Sequence, residues 1–345
     1  METRVLPTDP AGLAEGAQLL REGCLVAFPT ETVYGLGGLA SRVETVRKIF
    51  SVKGRPSTDP LILHLPSPDL NEAEAEGWVA KPVPFAAIQL TKTFWPGPLT
   101  LILKRGPKAH LEITAGLDTV AVRCPSHPAA RALLRELGTP LAAPSANRFG
   151  RISPTDAKAV QEELAGKIPL ILDGGRCPLG LESTVVNLVS PSPEILRPGA
   201  VTPEQMSKVL GFTPALRCDP ASSAKAQTSP GQLRSHYAPQ TPLYLCESAL
   251  KKFHAGAFHL LFHPETPPVK GNFLFLGQGG DPGAVARDLY RALRTADASG
   301  CKLILADQVP ESAWAEAIRD RLLRASTGSA VWDGQRWQLF PRRGV

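Results

Sequence analysis

Between Gly211 and Gln240 the apolar periodicity of the chain fades. Pro, Ser, Ala, Thr and Gln take over, and the run passes through Ser229-Pro230-Gly231. A segment without an apolar face has nothing to bury, so it reads as a linker. For a chain of 345 residues this is the strongest constraint on the fold, because it divides the available core in two. The expected arrangement is a domain over residues 1–210, a linker over 211–240 and a smaller domain over 241–345. With 43% apolar and 20% charged residues, the chain can bury a core and is not disordered.

Strand and helix signals alternate on both sides of the break. Apolar spacing predicts helices over residues 11–22, 43–50 and 127–137, and a further one capped by Thr155 and running to residue 164. Short apolar runs predict strands over 24–28, 61–65, 99–104, 119–123, 169–173 and 184–189. The alternation is imperfect, which points to an α/β fold with a mixed sheet rather than strict βαβ repetition. Beyond the linker, strands over 243–246, 258–262 and 302–306 interleave with helices over 283–298 and 312–325.

The net charge is +6. That balance suits anionic ligands such as nucleotides or RNA without choosing between them. The N-terminal residues lack the apolar core of a signal peptide, and no stretch approaches the roughly 20 apolar residues that cross a bilayer. A cytoplasmic protein with no membrane partner is expected. The six cysteines are scattered with no Cys-x-x-Cys pair, so reduced thiols are expected rather than zinc or disulfides.

Six segments place polar side chains at the ends of apolar runs. Residues 28–37 end a strand with three hydroxyl residues and then turn on glycines, where α/β sheets commonly bind ligands. Lys53-Gly54-Arg55-Pro56 offers a point charge and a forked donor, either as a phosphate contact or as a solvated basic turn. Small residues from Leu141 to Ala143 lead into Ser145-Ala146-Asn147, and Ser153-Pro154-Thr155 opens a helix whose amides favour an anion. Residues 119–123, 180–184 and 195–199 each bring a hydroxyl or an arginine to a strand edge. Any one of these fits an ordinary turn; six in one domain strain that reading. There is no Walker A loop, no complete Gly-x-Gly-x-x-Gly, no Gly-x-Ser-x-Gly and no His-Glu-x-x-His. Neither a familiar covalent nucleophile nor a metal held by the protein alone is suggested.

Taken in order, residues 28–37, 53–64, 95–100, 119–125, 143–147, 181–184 and 196–199 resemble the YrdC-type threonylcarbamoyl-AMP synthases. Ser229-Pro230-Gly231, His236-Tyr237-Ala238-Pro239 and residues 287–297 and 321–325 are similar to the linker and C-terminal domain of the long, two-domain form. The resemblance implies an open twisted sheet around a large positive cavity, joined to a small Rossmann-like domain. It implies synthesis of L-threonylcarbamoyladenylate from L-threonine, bicarbonate or CO₂, and ATP, for modification of adenosine 37 in tRNA by downstream tRNA threonylcarbamoyl transferase proteins. The nucleophile then belongs to the substrate, and the protein positions two anions.

By motif position the resemblance assigns Thr32, His64, Arg123, Ala143 and Ser183 to threonine. It assigns Lys53, Arg55, Asp59, Thr119, Ser145, Asn147, Ser153 and Arg197 to ATP, with Tyr237 approaching the nucleotide from a linker lid. His64 is also a candidate general base. Mg²⁺ would arrive with the triphosphate, held mainly by phosphate oxygens and water. Asp59 stands where the family usually has asparagine, and a carboxylate repels phosphate unless a metal intervenes. Phe149 replaces a small hydroxyl residue, and Pro230-Gly231-Gln232 lacks the family's methionine.

Two other readings compete. One is a non-catalytic double-stranded RNA or tRNA-binding module, and weak RNA binding is compatible with either role. The other is a carbamoyl-adenylate enzyme of the hydrogenase-maturation type, whose zinc-finger cysteines this chain lacks.

Overall fold

In the computed structural model, the residues described are 1–217, 236–248, 250, 253–262, 272–277 and 281–342. Ser229-Pro230-Gly231 and most of the expected linker lie outside them. The chain divides into two compact units: Met1–Phe149 with Ser153–Leu233, and Gly150–Ile152 with Arg234–Val345. Among the described residues no helix is long and apolar enough to cross a membrane.

Among the described residues, the first unit is built on a sheet of eleven strands. They are β1 Arg4–Pro7, β2 Val26–Phe28, β3 Gly35–Leu39, β4 Ile62–His64, β5 Leu99–Lys104, β6 Thr119–Arg123, β7 Leu141–Ala142, β8 Leu170–Asp173, β9 Thr184–Asn187, β10 Glu194–Arg197 and β11 Ala215–Leu216. Their order across the sheet is β1-β8-β2-β3-β7-β4-β6-β5-β9-β10-β11. Parallel pairs (β1 with β8, β4 with β6, β5 with β9) alternate with antiparallel ones (β2 with β3, β5 with β6, β9 with β10). The mixed sheet is therefore present.

The period-two alternation of the central strands sorts their side chains by face. Leu61, Leu63, Leu101, Leu103, Val120, Val122 and Val186 enter the main core with Val46, Ile49, Leu90 and Met206 from neighbouring helices. Ile62, Ile102, Ala121, Val185 and Leu196 form a separate small cluster. The second face, with its short apolar floor, carries the polar strand ends.

Several local features depart from expectation, including the following three. Residues 35–39, Gly-Leu-Gly-Gly-Leu, form a strand instead of a turn. The reason is space: a Cβ at Gly37 would lie 2.8 Å from the Phe28 ring, and one at Gly38 2.9 Å from Leu25. Glycine is needed there for close packing rather than for bending. Second, Asp156 and not Thr155 caps the helix Ala157–Leu164, its carboxylate accepting from the Ala159 amide. Third, β1 is a strand that the sequence reading omitted; it pairs in parallel with β8. The helix Val43–Lys53 ends on Gly54 in the left-handed conformation, φ 63°, and this turn delivers Lys53 and Arg55 to the site.

The second unit carries β12 Leu243–Cys246, β13 Ala257–Leu261, β14 Asn272–Phe275, β15 Leu303–Ala306, β16 Gly328–Trp332 and β17 Trp337–Pro341. The order is β14-β13-β15-β12-β16-β17. The first five are parallel and β17 closes an antiparallel hairpin. With helices Pro282–Asp297 and Ala315–Ala325, this is the expected small α/β body, extended by an unexpected terminal hairpin.

Candidate active site

The site begins with register. β4 and β6 run in parallel with His64 opposite Arg123 and Ile62 opposite Ala121. Ile102 of β5 lies opposite Ala121, and Val185 of β9 opposite Thr100. Since Ile62, Ala121, Ile102 and Val185 share one cluster, His64, Thr100, Thr119 and Arg123 share the same face. Thr119 and Arg123 sit at opposite ends of β6, about 13 Å apart along the strand.

Arg123 is almost fully buried, and three of its donors are fixed. Nη2 contacts Glu31 Oε1 at 2.6 Å, Nη1 donates to Thr32 Oγ1 at 2.9 Å, and Nε donates to the Gly97 carbonyl at 3.2 Å. Glu31 is held in turn by the Ser126 amide, 3.0 Å from Oε2. Thr32 Oγ1 lies 2.8 Å from Thr30 Oγ1, and Thr30 donates to the Val33 carbonyl. Burial alone would raise the Glu31 carboxyl, but the charge and hydrogen bond of Arg123 outweigh it and hold it below the ordinary value. The guanidinium plane is thus set before any ligand arrives. His64 packs edge-on against Phe28, and the Ala143 amide donates to the Ile62 carbonyl at 3.0 Å.

Ser183, fully buried, joins this half to the next. Its hydroxyl lies 2.7 Å from Thr100 Oγ1 and accepts from Arg197 Nη2 at 3.0 Å, while Arg197 Nε donates to its carbonyl. Arg197 comes this close because of Gly199. A Cβ there would lie 2.5 Å from the Thr184 nitrogen and 2.8 Å from the Glu182 carbonyl oxygen, so any side chain would push the two segments apart.

Lys53 and Arg55 are arranged differently. The Lys53 ammonium donates to the backbone carbonyls of Ser145, at 2.6 Å, and Asn147, at 2.5 Å. It is buried and shapes the 145–147 loop from beneath. Burial, followed by the nearby Arg55 charge, lowers its pKa well below that of a free lysine, with Asp59 and Glu163 opposing. Arg55 Nε donates to the Asp59 carbonyl and Nη2 to that of Pro60, and Nη2 also lies 2.8 Å from Asp59 Oδ1. Ser153 Oγ is fully buried and has no hydrogen-bond partner among the described residues. Tyr237 belongs to the second unit, where its ring stacks on Tyr290, Arg321 lies over it at 5.5 Å, and its backbone adopts φ 63°.

Comparison with known proteins finds matches over both units. The Sua5/YciO/YrdC family model, described as telomere recombination, matches residues 18–199, just over half of the chain. A second model, described as the C-terminal domain of threonylcarbamoyl-AMP synthase, matches residues 201–327. The threonylcarbamoyl-AMP synthase of Bacillus subtilis is 40% identical over 343 residues, covering 95% of this chain and 97% of the relative. That of Pyrococcus abyssi is 41% identical over 324 residues, covering 90% and 92%. The crystal structure of P. abyssi Sua5 complexed with L-threonine superposes with a TM-score of 0.84 at 36% identity, covering 94% of this chain and 98% of that one. The chain belongs to the threonylcarbamoyl-AMP synthase family. Its membership covers the long, two-domain form.

Within this family member, two groups at the site escaped the sequence reading. Glu31, which pairs with Arg123, and Thr100, 2.7 Å from Ser183 Oγ, lie inside the motif segments, yet neither is given a role by motif position. The signal for Glu31 was available: a buried arginine needs a buried counter-ion, and Glu31 is the acid among strand-end threonines. Thr100 carried none, because a threonine beside a strand of leucines reads as an ordinary β residue. His64 is pushed down to about 3 by burial, helped by the Arg123 charge. A ring that stays neutral at physiological pH is a weak base there, so His64 is better suited to binding than to proton abstraction.

Proposed function

We propose that this threonylcarbamoyl-AMP synthase family member makes L-threonylcarbamoyladenylate from L-threonine, bicarbonate or CO₂, and ATP, releasing pyrophosphate. The product would serve N6-threonylcarbamoylation of adenosine 37 in tRNA through downstream transferase proteins. One observation carries the reading: Ser183 bonds both Arg197 and Thr100, and Thr100 shares a sheet face with Arg123, so two buried arginines serve one face of the sheet. A reaction between two anionic substrates needs such a pairing.

The threonine amine adds to CO₂ and loses a proton, giving a carbamate. A carbamate oxygen then attacks the α-phosphorus; the bond to the β-phosphate oxygen breaks and pyrophosphate leaves. Arg123, held by Glu31 and Thr32, orients the threonine carboxylate. Ala143 and His64 shape the pocket around the amino acid, and Ser183 sits between the substrates. Arg55, Arg197, Ser145, Asn147, Ser153 and Thr119 receive the nucleotide, over the apolar floor of Ile62, Ile102 and Ala121. Lys53 supports that side through the 145–147 backbone. Tyr237 is assigned to the nucleotide through the family motif. Mg²⁺ would arrive with the triphosphate and neutralise its charge, while Asp59 pairs with Arg55.

The burial of Arg123, Ser183 and Arg197 favours a small ligand over a nucleic-acid duplex, whose phosphates would contact exposed cations. The test incubates full-length protein with ATP, Mg²⁺, bicarbonate and labelled threonine. Labelled adenylate and threonine-dependent pyrophosphate are expected. Pyrophosphate release indifferent to threonine sinks the reading.

A further inference from the structure

Tyr237 holds a backbone conformation that few side chains tolerate. Its φ is 63°, in the left-handed region where a bulky residue is an outlier. Such strain persists only where the surroundings fix it, and it gathers at functional positions. The fixing groups are identifiable within the second unit. The His236 amide donates to the Arg324 carbonyl at 3.1 Å and the Ala238 amide to the Gly150 carbonyl at 2.8 Å, so the backbone is held on both sides of Tyr237. Ala238 also bridges to Arg151, in the segment that runs into Ser153.

The ring is held as well. Tyr290 packs against it with centroids 5.7 Å apart, His236 meets it edge-on at 4.2 Å, and the Arg321 guanidinium lies 5.5 Å from its centroid. Arg321 is fully buried. The helix Ala315–Ala325 also supplies its counter-ion, Asp320, which pairs with Arg321 at 2.7 Å and with Arg324 at 2.9 Å. An apolar side chain of like volume would fill the same space without the desolvation of a buried ion pair. What only the cation adds is attraction to the aromatic face, which fixes the ring. Resting on the proposed ATP-dependent function, with Tyr237 as a nucleotide contact, we infer that Arg321 is a positioning residue for ATP: it holds the Tyr237 ring in place, and Asp320 holds Arg321 in turn.

The test is threonine-dependent pyrophosphate release by the full-length protein, with ATP and threonine varied in turn, for wild type, Arg321→Met, Tyr237→Ala and the double variant. Methionine fills much of the space of the arginine, and Asp320 keeps Arg324 as its partner. Arg321→Met is expected to raise KM for ATP about tenfold, the scale of one desolvated cation–π contact, with KM for threonine changed by less than about twofold. Tyr237→Ala should raise KM for ATP at least as far, and the double variant no further, because Arg321 acts through the ring. Equal rises in both KM values, losses that multiply in the double variant, or a KM for ATP unmoved by Arg321→Met each overturn the inference. If Tyr237→Ala leaves KM for ATP unchanged, the nucleotide assignment of Tyr237 falls and the inference with it. Wild type that releases no threonine-dependent pyrophosphate overturns the proposed function itself, and the inference too. Should Arg321→Met not fold, Arg321→Lys keeps a charge beside Asp320 but loses the planar fork. It is expected to raise KM for ATP about threefold and to spare threonine; no rise, or an equal rise in both, overturns the inference.

Discussion

Arg123 and Lys53 are both buried cations of the same unit, yet their partners differ in kind. Arg123 ends a strand and meets a carboxylate, a hydroxyl and a carbonyl contributed by two other segments. Lys53 ends a helix and meets two carbonyls of one loop. The first arrangement fixes a fork whose remaining donors can meet a ligand. In the second, the cation holds up the backbone on which other groups stand. Two positive charges that look alike in sequence thus stand in different settings, one ion-paired with a carboxylate and one bonded to backbone carbonyls.

The contrast breaks or holds on stability first. Arg123→Ala leaves Glu31 buried without its counter-ion and should destabilise the protein by about 3–5 kcal/mol. Lys53→Met leaves neutral carbonyls and should lose about 1–3 kcal/mol. Urea unfolding measures both. Adding Glu31→Gln to Arg123→Ala should recover part of the loss, since the orphaned charge is then gone. A strictly additive double variant, or a Lys53 variant worse than the Arg123 one, would erase the distinction.

A smaller effect separates the halves by pH. His64 has its folded pKa depressed, to about 3 against 6.5 for the free ring. Its neutral form is the one the fold accepts, so its contribution is complete above the unfolded pKa and is lost as pH falls below it. From about pH 7.5 to about pH 5.5 that loss amounts to about 1.4 kcal/mol. Wild type should therefore lose that much more stability over this interval than His64→Asn, read again by urea unfolding. Equal losses would mean that the ring is solvated and the threonine half is open to water.

Much of this was legible in the chain, for physical reasons that can be named. Thr119-Val120-Ala121-Val122-Arg123 alternates, and the alternation alone sends Val120 and Val122 to the core and Arg123 to the other face. The helix Val43–Lys53 and its Gly54 stop carry their own signals. The strand over Gly35–Leu39 did not, because its glycines answer to Phe28 and Leu25 on neighbouring elements. The role of Lys53 was hidden in the same way. Its spacing to Arg55 suggests phosphate, while its partners at Ser145 and Asn147 are about ninety residues away in sequence. Local chemistry was readable; the pairing of distant segments was not.

The smallest test falls on the seam between the halves. Thr100 Oγ1 is buried 2.7 Å from Ser183 Oγ, and Ser183 also accepts from Arg197. Thr100→Val keeps the shape of the side chain and removes one hydrogen bond, worth about 0.5–1.5 kcal/mol. The Ser183 hydroxyl would then be oriented by Arg197 alone and drawn toward the nucleotide half. Threonine affinity should fall by about two- to tenfold, while ATP affinity changes by less than twofold or so. Separate titrations with threonine and with ATP measure the two. If ATP affinity falls as far as threonine affinity, Ser183 belongs to both halves equally, and the boundary drawn between recognition at Arg123 and support at Lys53 has to move.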